Sequence, residues 1–188
     1  MVCIDYHNKV INFKIVYYGP KNSGKTSHLE YLKKVIGCTT DVSVKDAEES
    51  SIIESISVSF GKIRDFNIVY HFQSISAEPC LENYRKASLV GADGILFIVD
   101  PTKGKENENL DSLKELTQFM KTLQISKEQI QIVILYNKRE NSKFIELKNL
   151  EETMNIINTE SLECNILKGD GVLASLKSLN TKIMTYTA

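Results

Sequence analysis

KIVYYGPKNSGKTSHLEYL, from Lys14 to Leu32, decides how this chain of 188 residues folds. Ile15-Val16-Tyr17-Tyr18 is an apolar, β-favouring run, and Leu29, Leu32 and Ile36 then return at helical spacing. The stretch therefore predicts a buried strand, a loop and a helix over Lys25 to Val35 that stops near Gly37. The loop, Gly19-Pro20-Lys21-Asn22-Ser23-Gly24-Lys25-Thr26, fits the phosphate-loop pattern G-x-x-x-x-G-K-[ST]. Gly19 and Gly24 let the backbone curl so that successive N–H groups point into one concavity. The helix beginning at Lys25 adds its unpaired N–H groups and the positive end of its dipole. Lys25 reaches toward β- and γ-phosphates, and the Thr26 hydroxyl is a Mg²⁺ ligand type. The expected phosphate contacts are Gly19, Lys21, Asn22, Ser23, Gly24, Lys25, Thr26 and Ser27. Such a loop implies nucleotide binding and says nothing by itself about hydrolysis.

Outward from that loop, the chain reads as alternating strands and helices. Val2 to Tyr6 and Val10 to Tyr18 predict a hairpin with His7-Asn8-Lys9 at its tip. Cys38 to Ser51 is polar with little periodicity and reads as a loop. Ile52 to Ser59 alternates, with Ile53, Ile56, Val58 and Phe60 as the apolar set. Gly61-Lys62 reads as a turn, and Phe66 to Phe72 as the antiparallel partner strand. Ser74 to Pro79 reads as a loop and Leu81 to Leu89 as a helix. Gly94 to Asp100 is a continuous apolar run closed by an acid, the pattern of a strand buried on both faces of a parallel sheet. Asn109 to Leu123 carries a core-facing helical stripe that includes Met120. Ile130 to Tyr136 and Leu162 to Leu167 read as strands, Leu147 to Ile157 and Val172 to Tyr186 as helices. The expectation is an α/β fold: a three-layer P-loop NTPase with a mostly parallel sheet, in one domain spanning residues 1–188. Ligands in such sheets sit at the carboxyl ends of strands, where both the phosphate loop and Asn137-Lys138 fall.

Composition narrows the class. Hydrophobic residues are 42% and charged residues 25%, ordinary for a globular protein. A net charge of −1 gives no footing for nucleic acid or an anionic membrane surface. Cys3, Cys38, Cys80 and Cys164 are scattered, which predicts reduced, buried thiols. There is no apolar run of transmembrane length, no signal-peptide core in MVCIDYHNKV and no lipidation signal, so a cytoplasmic protein is expected.

Asn137-Lys138-Arg139-Glu140 follows a buried strand, where small GTPases carry N-K-x-D. There the Asn reads guanine and braces the phosphate loop, the Lys stem packs along the base, and the Asp accepts two hydrogen bonds that adenine cannot donate. Glu140 in that last place accepts the same bonds with about 1.5 Å more reach, roughly one C–C bond.

The run VCIDYHNKVINFKIVYYGPKNSGKTSHLEYL resembles the start of the MglA family, bacterial Ras-like GTPases of cell polarity and gliding motility. Ile4, Tyr6, Ile11-Asn12, Lys14 to Pro20 and Gly24-Lys25-Thr26 carry the likeness. It continues through Phe66 to Phe72, Arg85-Lys86, Gly91, Asp93-Gly94, Asp100, Tyr136 to Arg139 and Gly169, Gly171 and Val172. The resemblance implies a Ras-like fold, GTP or GDP with Mg²⁺, and a roadblock-domain regulator or effector of the MglB type that docks on the switch regions. It further implies a peripheral association at a cell pole with no transmembrane segment. Surface around Ile52, Ile53 and Ile56 is the expected docking face.

The departures from that family bear on catalysis. Its P-G-Q-like stretch, whose glycine meets the γ-phosphate and whose glutamine orients water, aligns with Ser76-Ala77-Glu78. Its R-T pair, an intrinsic arginine finger and a Mg²⁺-capping threonine, aligns with Glu49-Ser50, leaving Ser50, or Ser51 in the alternative register, as the metal-site hydroxyl. A carboxylate is a poor replacement for an amide that donates and accepts, and an arginine finger contributes about 10³–10⁵ in rate. Very slow hydrolysis, or none, is expected. Near Ile166 and Leu167 the family places a loop whose backbone N–H meets guanine O6. Two other readings remain: a nucleotide-free pseudo-GTPase scaffold, and a P-loop kinase or ATPase. Against the last, no arginine lies between Asp100 and Ile130 to build a lid.

Overall fold

All six residues of Gly94–Val99 are buried, and the sheet grows outward from that strand. The computed structural model describes residues 2–45, 51–126, 128–137 and 159–187. Among them the strands are β1 (Cys3–Asp5), β2 (Val10–Tyr18), β3 (Thr40–Lys45), β4 (Ser51–Ile63), β5 (Phe66–Ile75), β6 (Gly94–Val99), β7 (Gln131–Asn137) and β8 (Ser161–Cys164). The helices are α1 (Lys25–Val35), α2 (Glu82–Ser88), α3 (Glu106–Thr122) and α4 (Val172–Thr187). A 3₁₀ turn at Pro79–Leu81 leads into α2.

The sheet order is β3-β4-β5-β2-β6-β7-β8, with β1 antiparallel to the start of β2. From β5 to β8 every neighbouring pair is parallel, while β3, β4 and β5 form an antiparallel meander. The strand alternation of β2 sends Phe13, Ile15 and Tyr17 to one face and Val16 and Tyr18 to the other. The first set packs with Leu29 and Leu32 of α1 and with Leu176 and Leu179 of α4. The second packs with Leu116, Phe119 and Met120 of α3, so Met120 is core as expected. Helices thus cover both faces of a mostly parallel sheet, the architecture of a Ras-like P-loop GTPase.

Three expectations need correction. Thr40–Lys45 is not loop but edge strand β3, paired to β4 from Thr40↔Ser57 to Lys45↔Ser51. All six of its residues are exposed, so burial left no periodic trace in the sequence. Gly61-Lys62 is not the turn: β4 runs on to Ile63, the chain reverses at Arg64-Asp65, and the register shift between Ser59 and Lys62 marks a bulge. Cys3, Cys38 and Cys80 are exposed, and only Cys164 is buried; all four are free. The expected helix Leu147 to Ile157 lies outside the described residues.

Candidate functional site

Because β2, β5, β7 and β8 run parallel, their carboxyl ends open on one side of the sheet. The segments that follow them converge there around a cavity of about 560 Å³, within the ordinary size range for a small-ligand pocket. Lys21, Asn22, Gly24, Lys25, Thr26 and Ser27 line it from the loop after β2, Ser76, Ala77 and Glu78 from the loop after β5, and Asn137, Ile166 and Leu167 from the far end.

The loop after β2 is shaped by its backbone. Gly19 has φ +139°, and a Cβ on it would sit 2.2 Å from the Ile98 carbonyl oxygen. Gly24 has φ +108°, and a Cβ there would meet Asn137 Nδ2 at 2.4 Å. Asn22, at φ +61°, adds a left-handed step that asparagine tolerates. Helix α1 is anchored behind the loop by a buried pair, the Tyr17 hydroxyl and His28 Nδ1 at 2.6 Å. Burial pushes the His28 imidazole down to about 3 and the Tyr17 phenol well up, so both are neutral and share one hydrogen bond.

Lys25 is buried, and its ammonium donates to the Gly19 and Pro20 carbonyls at 2.9 and 2.7 Å. Burial pulls it down to about 8; the nearby Arg85 cation adds to the shift, while Glu115 and Glu54 oppose it. A buried cation behind a glycine-bounded loop, at the start of a helix, is an arrangement chemically suited to an anion.

Thr26 has a partner that the motif does not announce. Its hydroxyl donates to Glu54 Oε2 at 2.7 Å, and Glu54 is itself buried and lines the cavity. Sequence reasoning missed Glu54. Its signal was the strand phase: Glu54, Ile56 and Val58 are all buried, two residues apart, so Glu54 and not Ile53 continues the inward face of β4. Ser74 stands directly opposite Glu54 in the ladder and closes the floor.

Asn137 braces the site. Its Nδ2 donates to the Ser23 carbonyl at 2.7 Å, and its Oδ1 accepts from the Ile166 N–H at 3.3 Å. It thus ties the phosphate loop to the turn at residues 165–170, where Ile166 and Leu167 reach the cavity. Ser23 is fully buried and contributes through its backbone.

At the other end Glu78 pairs with Lys21, Nζ to Oε1 at 3.2 Å. The loop carrying Glu78 is held by Arg85 of α2. Arg85 Nη1 donates to the carbonyls of Ser76 and Glu78 at 2.9 and 2.7 Å. Its remaining nitrogens hold the Glu115 carboxylate of α3, Nη2 to Oε1 at 2.6 Å and Nε to both oxygens at 3.1 Å. The Tyr18 hydroxyl also donates to Glu115, at 3.0 Å. Neither Arg85 nor Glu115 was assigned a role from sequence; a lone Arg and a lone Glu thirty positions apart give no motif. Ala77 is not among the residues with positive φ, so this loop holds its shape without a glycine.

No family model matches the sequence. The mutual gliding-motility protein MglA of Myxococcus xanthus (strain DK1622) is 28% identical over 189 aligned positions, covering 98% of this chain and 97% of that protein. The likeness to MglA thus runs over nearly the whole of both chains. At this identity the two sequences differ at most positions, and the loop after β5 carries Ala77 and Glu78 in the places where the resemblance leads one to expect a glycine and a glutamine. The docking face expected for an MglA-type partner needs revision: Ile56 is fully buried in the core, and Ile52 and Ile53 are half-buried. Glu49, Ser50, Lys138 and Glu140 lie outside the described residues.

Proposed function

We propose that the chain is a small GTP-binding protein that holds GTP or GDP with Mg²⁺ in this cavity and works as a nucleotide-dependent switch or scaffold, with weak or absent hydrolysis. The observation that carries the reading is Lys25. A buried ammonium, under a glycine-bounded loop and at a helix N-terminus, spends two hydrogen bonds on backbone carbonyls until a phosphate takes them over.

The donor set fits the ion. The Thr26 hydroxyl and the Glu54 carboxylate are hard oxygens 2.7 Å apart, the ligand type that Mg²⁺ takes. When bound, Mg²⁺ neutralises charge on the terminal phosphates. Asn137 supplies the end where the base sits, with guanine as the expected choice because Asn137 opens the N-K-x-E run. Slow hydrolysis rests on Glu78, which offers no N–H to a water or a phosphate. Part of the reading comes from the relative, which is named for gliding motility: a cytoplasmic role in polarity or motility, exerted through a roadblock-domain partner of the MglB type. Among the described residues no helix is long and apolar enough to cross a membrane.

Two measurements test this. Protein purified without added nucleotide is denatured and the released ligand separated by chromatography; a guanosine nucleotide is expected. Loaded with GTP and Mg²⁺, the protein should cleave it in a single turnover more slowly than about 10⁻⁴ s⁻¹, below the roughly 3–5 × 10⁻⁴ s⁻¹ of unassisted Ras and far from the roughly 5–20 s⁻¹ of an activated Ras. Cleavage near the activated rate would remove the claim of impaired hydrolysis. No released nucleotide and no uptake of either purine nucleotide would leave only a scaffold with a vestigial loop.

A further inference from the structure

We infer that this site selects the nucleoside diphosphate over the triphosphate, and that Glu78 is the residue that sets the selection. The inference rests on reading the cavity as a guanine-nucleotide site. It follows from what brackets the phosphate loop at its two ends. The Gly24 end lies against Asn137, with 2.4 Å between Asn137 Nδ2 and the place a Gly24 Cβ would take. The Lys21 end lies against Glu78, 3.2 Å away. A nucleotide with its base toward Asn137 and its β-phosphate over the start of α1 points its chain end at Lys21 and Glu78. A diphosphate ends at Lys25. A triphosphate brings its last charged group up to a carboxylate, and it must compete with that carboxylate for Lys21.

The Lys21–Glu78 pair does not hold the loop in place. Lys21 is exposed and Glu78 about one-third exposed, 63% and 34%, and pairs open to solvent contribute little. Arg85 does. Its guanidinium is 8% exposed, grips the carbonyls on either side of Ala77 and is locked in turn by Glu115. Arg85 thus fixes the backbone from which Glu78 projects, and moving that backbone away would mean breaking shielded, charge-assisted hydrogen bonds, which is costly. Arg85 is therefore a positioning residue for Glu78. A neutral amide at the same place would donate an N–H to the terminal phosphate; the carboxylate opposes it.

The test uses the full chain, stripped of nucleotide, in the presence of Mg²⁺. Dissociation constants are measured for GDP and for the non-hydrolysable GTP analogue GMPPNP, so that turnover does not enter. The wild type is expected to favour GDP by roughly tenfold or more, the size of a like-charge contact in a half-exposed site. Glu78→Gln should reduce that ratio about tenfold, with the gain on the GMPPNP side. Arg85→Lys, which cannot grip two carbonyls and a carboxylate at once, should move the ratio the same way. The wild-type preference should also shrink between about 0.1 M and 1 M salt, where the Debye length falls from about 10 to 3 Å. Equal or tighter binding of GMPPNP by the wild type overturns the inference, as does a ratio that Glu78→Gln leaves in place. Failure to bind either nucleotide overturns the nucleotide reading itself, and this inference with it.

Discussion

The loop at residues 19–24 and the loop at residues 76–78 face each other across one cavity, yet they are built on opposite plans. The first owes its shape to backbone conformations that only glycine or asparagine accepts at low cost, at φ +139°, +61° and +108°. The second uses no left-handed residue. One side chain, Arg85, reaches in from α2 and holds two of its carbonyls. A loop made by its backbone presents the same N–H ring whatever surrounds it. A loop made by a distant side chain is open to adjustment by single substitutions. Ala77 and Glu78 stand there where the resemblance leads one to expect a glycine and a glutamine, while Asn137 still braces the phosphate loop at the opposite end.

The contrast is broken most severely at Lys25. If the first loop is a phosphate receptor, Lys25→Met should weaken guanine-nucleotide binding about 100- to 1,000-fold, as measured by calorimetric titration, because it strips the buried partner charge from the ligand. The same variant should melt no lower than the wild type. Its missing ammonium is one that burial already disfavours in the empty protein. A variant that loses both binding and fold would show that Lys25 holds the loop together and would end the comparison.

A reciprocal pair of substitutions separates the two plans next. Gly19→Ala puts a Cβ 2.2 Å from a backbone oxygen at a φ that alanine avoids, and should cost about 2–3 kcal/mol in urea unfolding. Ala77→Gly in the opposite loop should cost no more than about 1 kcal/mol, the entropy of a freer unfolded chain. Equal costs would mean that the second loop is also backbone-determined and that Arg85 is incidental.

The same division explains what the sequence revealed. Backbone-built features carry their own residue types, so β2, the phosphate loop and α1 were legible, with α1 running over the expected Lys25–Val35. Asn137 bracing the loop at the Ser23 carbonyl was also legible, because the motif names the residue that does it. Features built by pairing alone were not. Strand β3 buries nothing, and its hydrogen bonds to β4 have no signature in DVSVK. Glu54 was lost to a one-residue error of phase, since Ile53 made a plausible apolar position and a buried acid looks like a surface one until its partner, Thr26, is known. Arg85 of α2 and Glu115 of α3 meet, with Tyr18 of β2 beside them, only through the tertiary fold, a contact that no local pattern announces.

The smallest expected effect follows from the Lys25 proton. Lysine ordinarily loses its proton near 10.5, and in the empty folded protein burial brings that down to about 8. Between those values the unfolded chain binds the proton more readily than the folded one, so the stability of the empty protein rises as pH climbs from 8 to 10.5. Nucleotide binding moves the other way, because a phosphate needs the charged ammonium and pays to restore it. By pH 9 only about a tenth of the empty protein carries that charge, so affinity should fall about tenfold relative to pH 7. One group thus produces two opposite slopes over one pH range, melting temperature rising while affinity falls. Thermal melts and titrations in matched buffers read both. Parallel slopes, or a loss of affinity that persists in Lys25→Met, would assign the pH dependence to another group. They would also remove Lys25 as the cation that the first loop keeps in reserve.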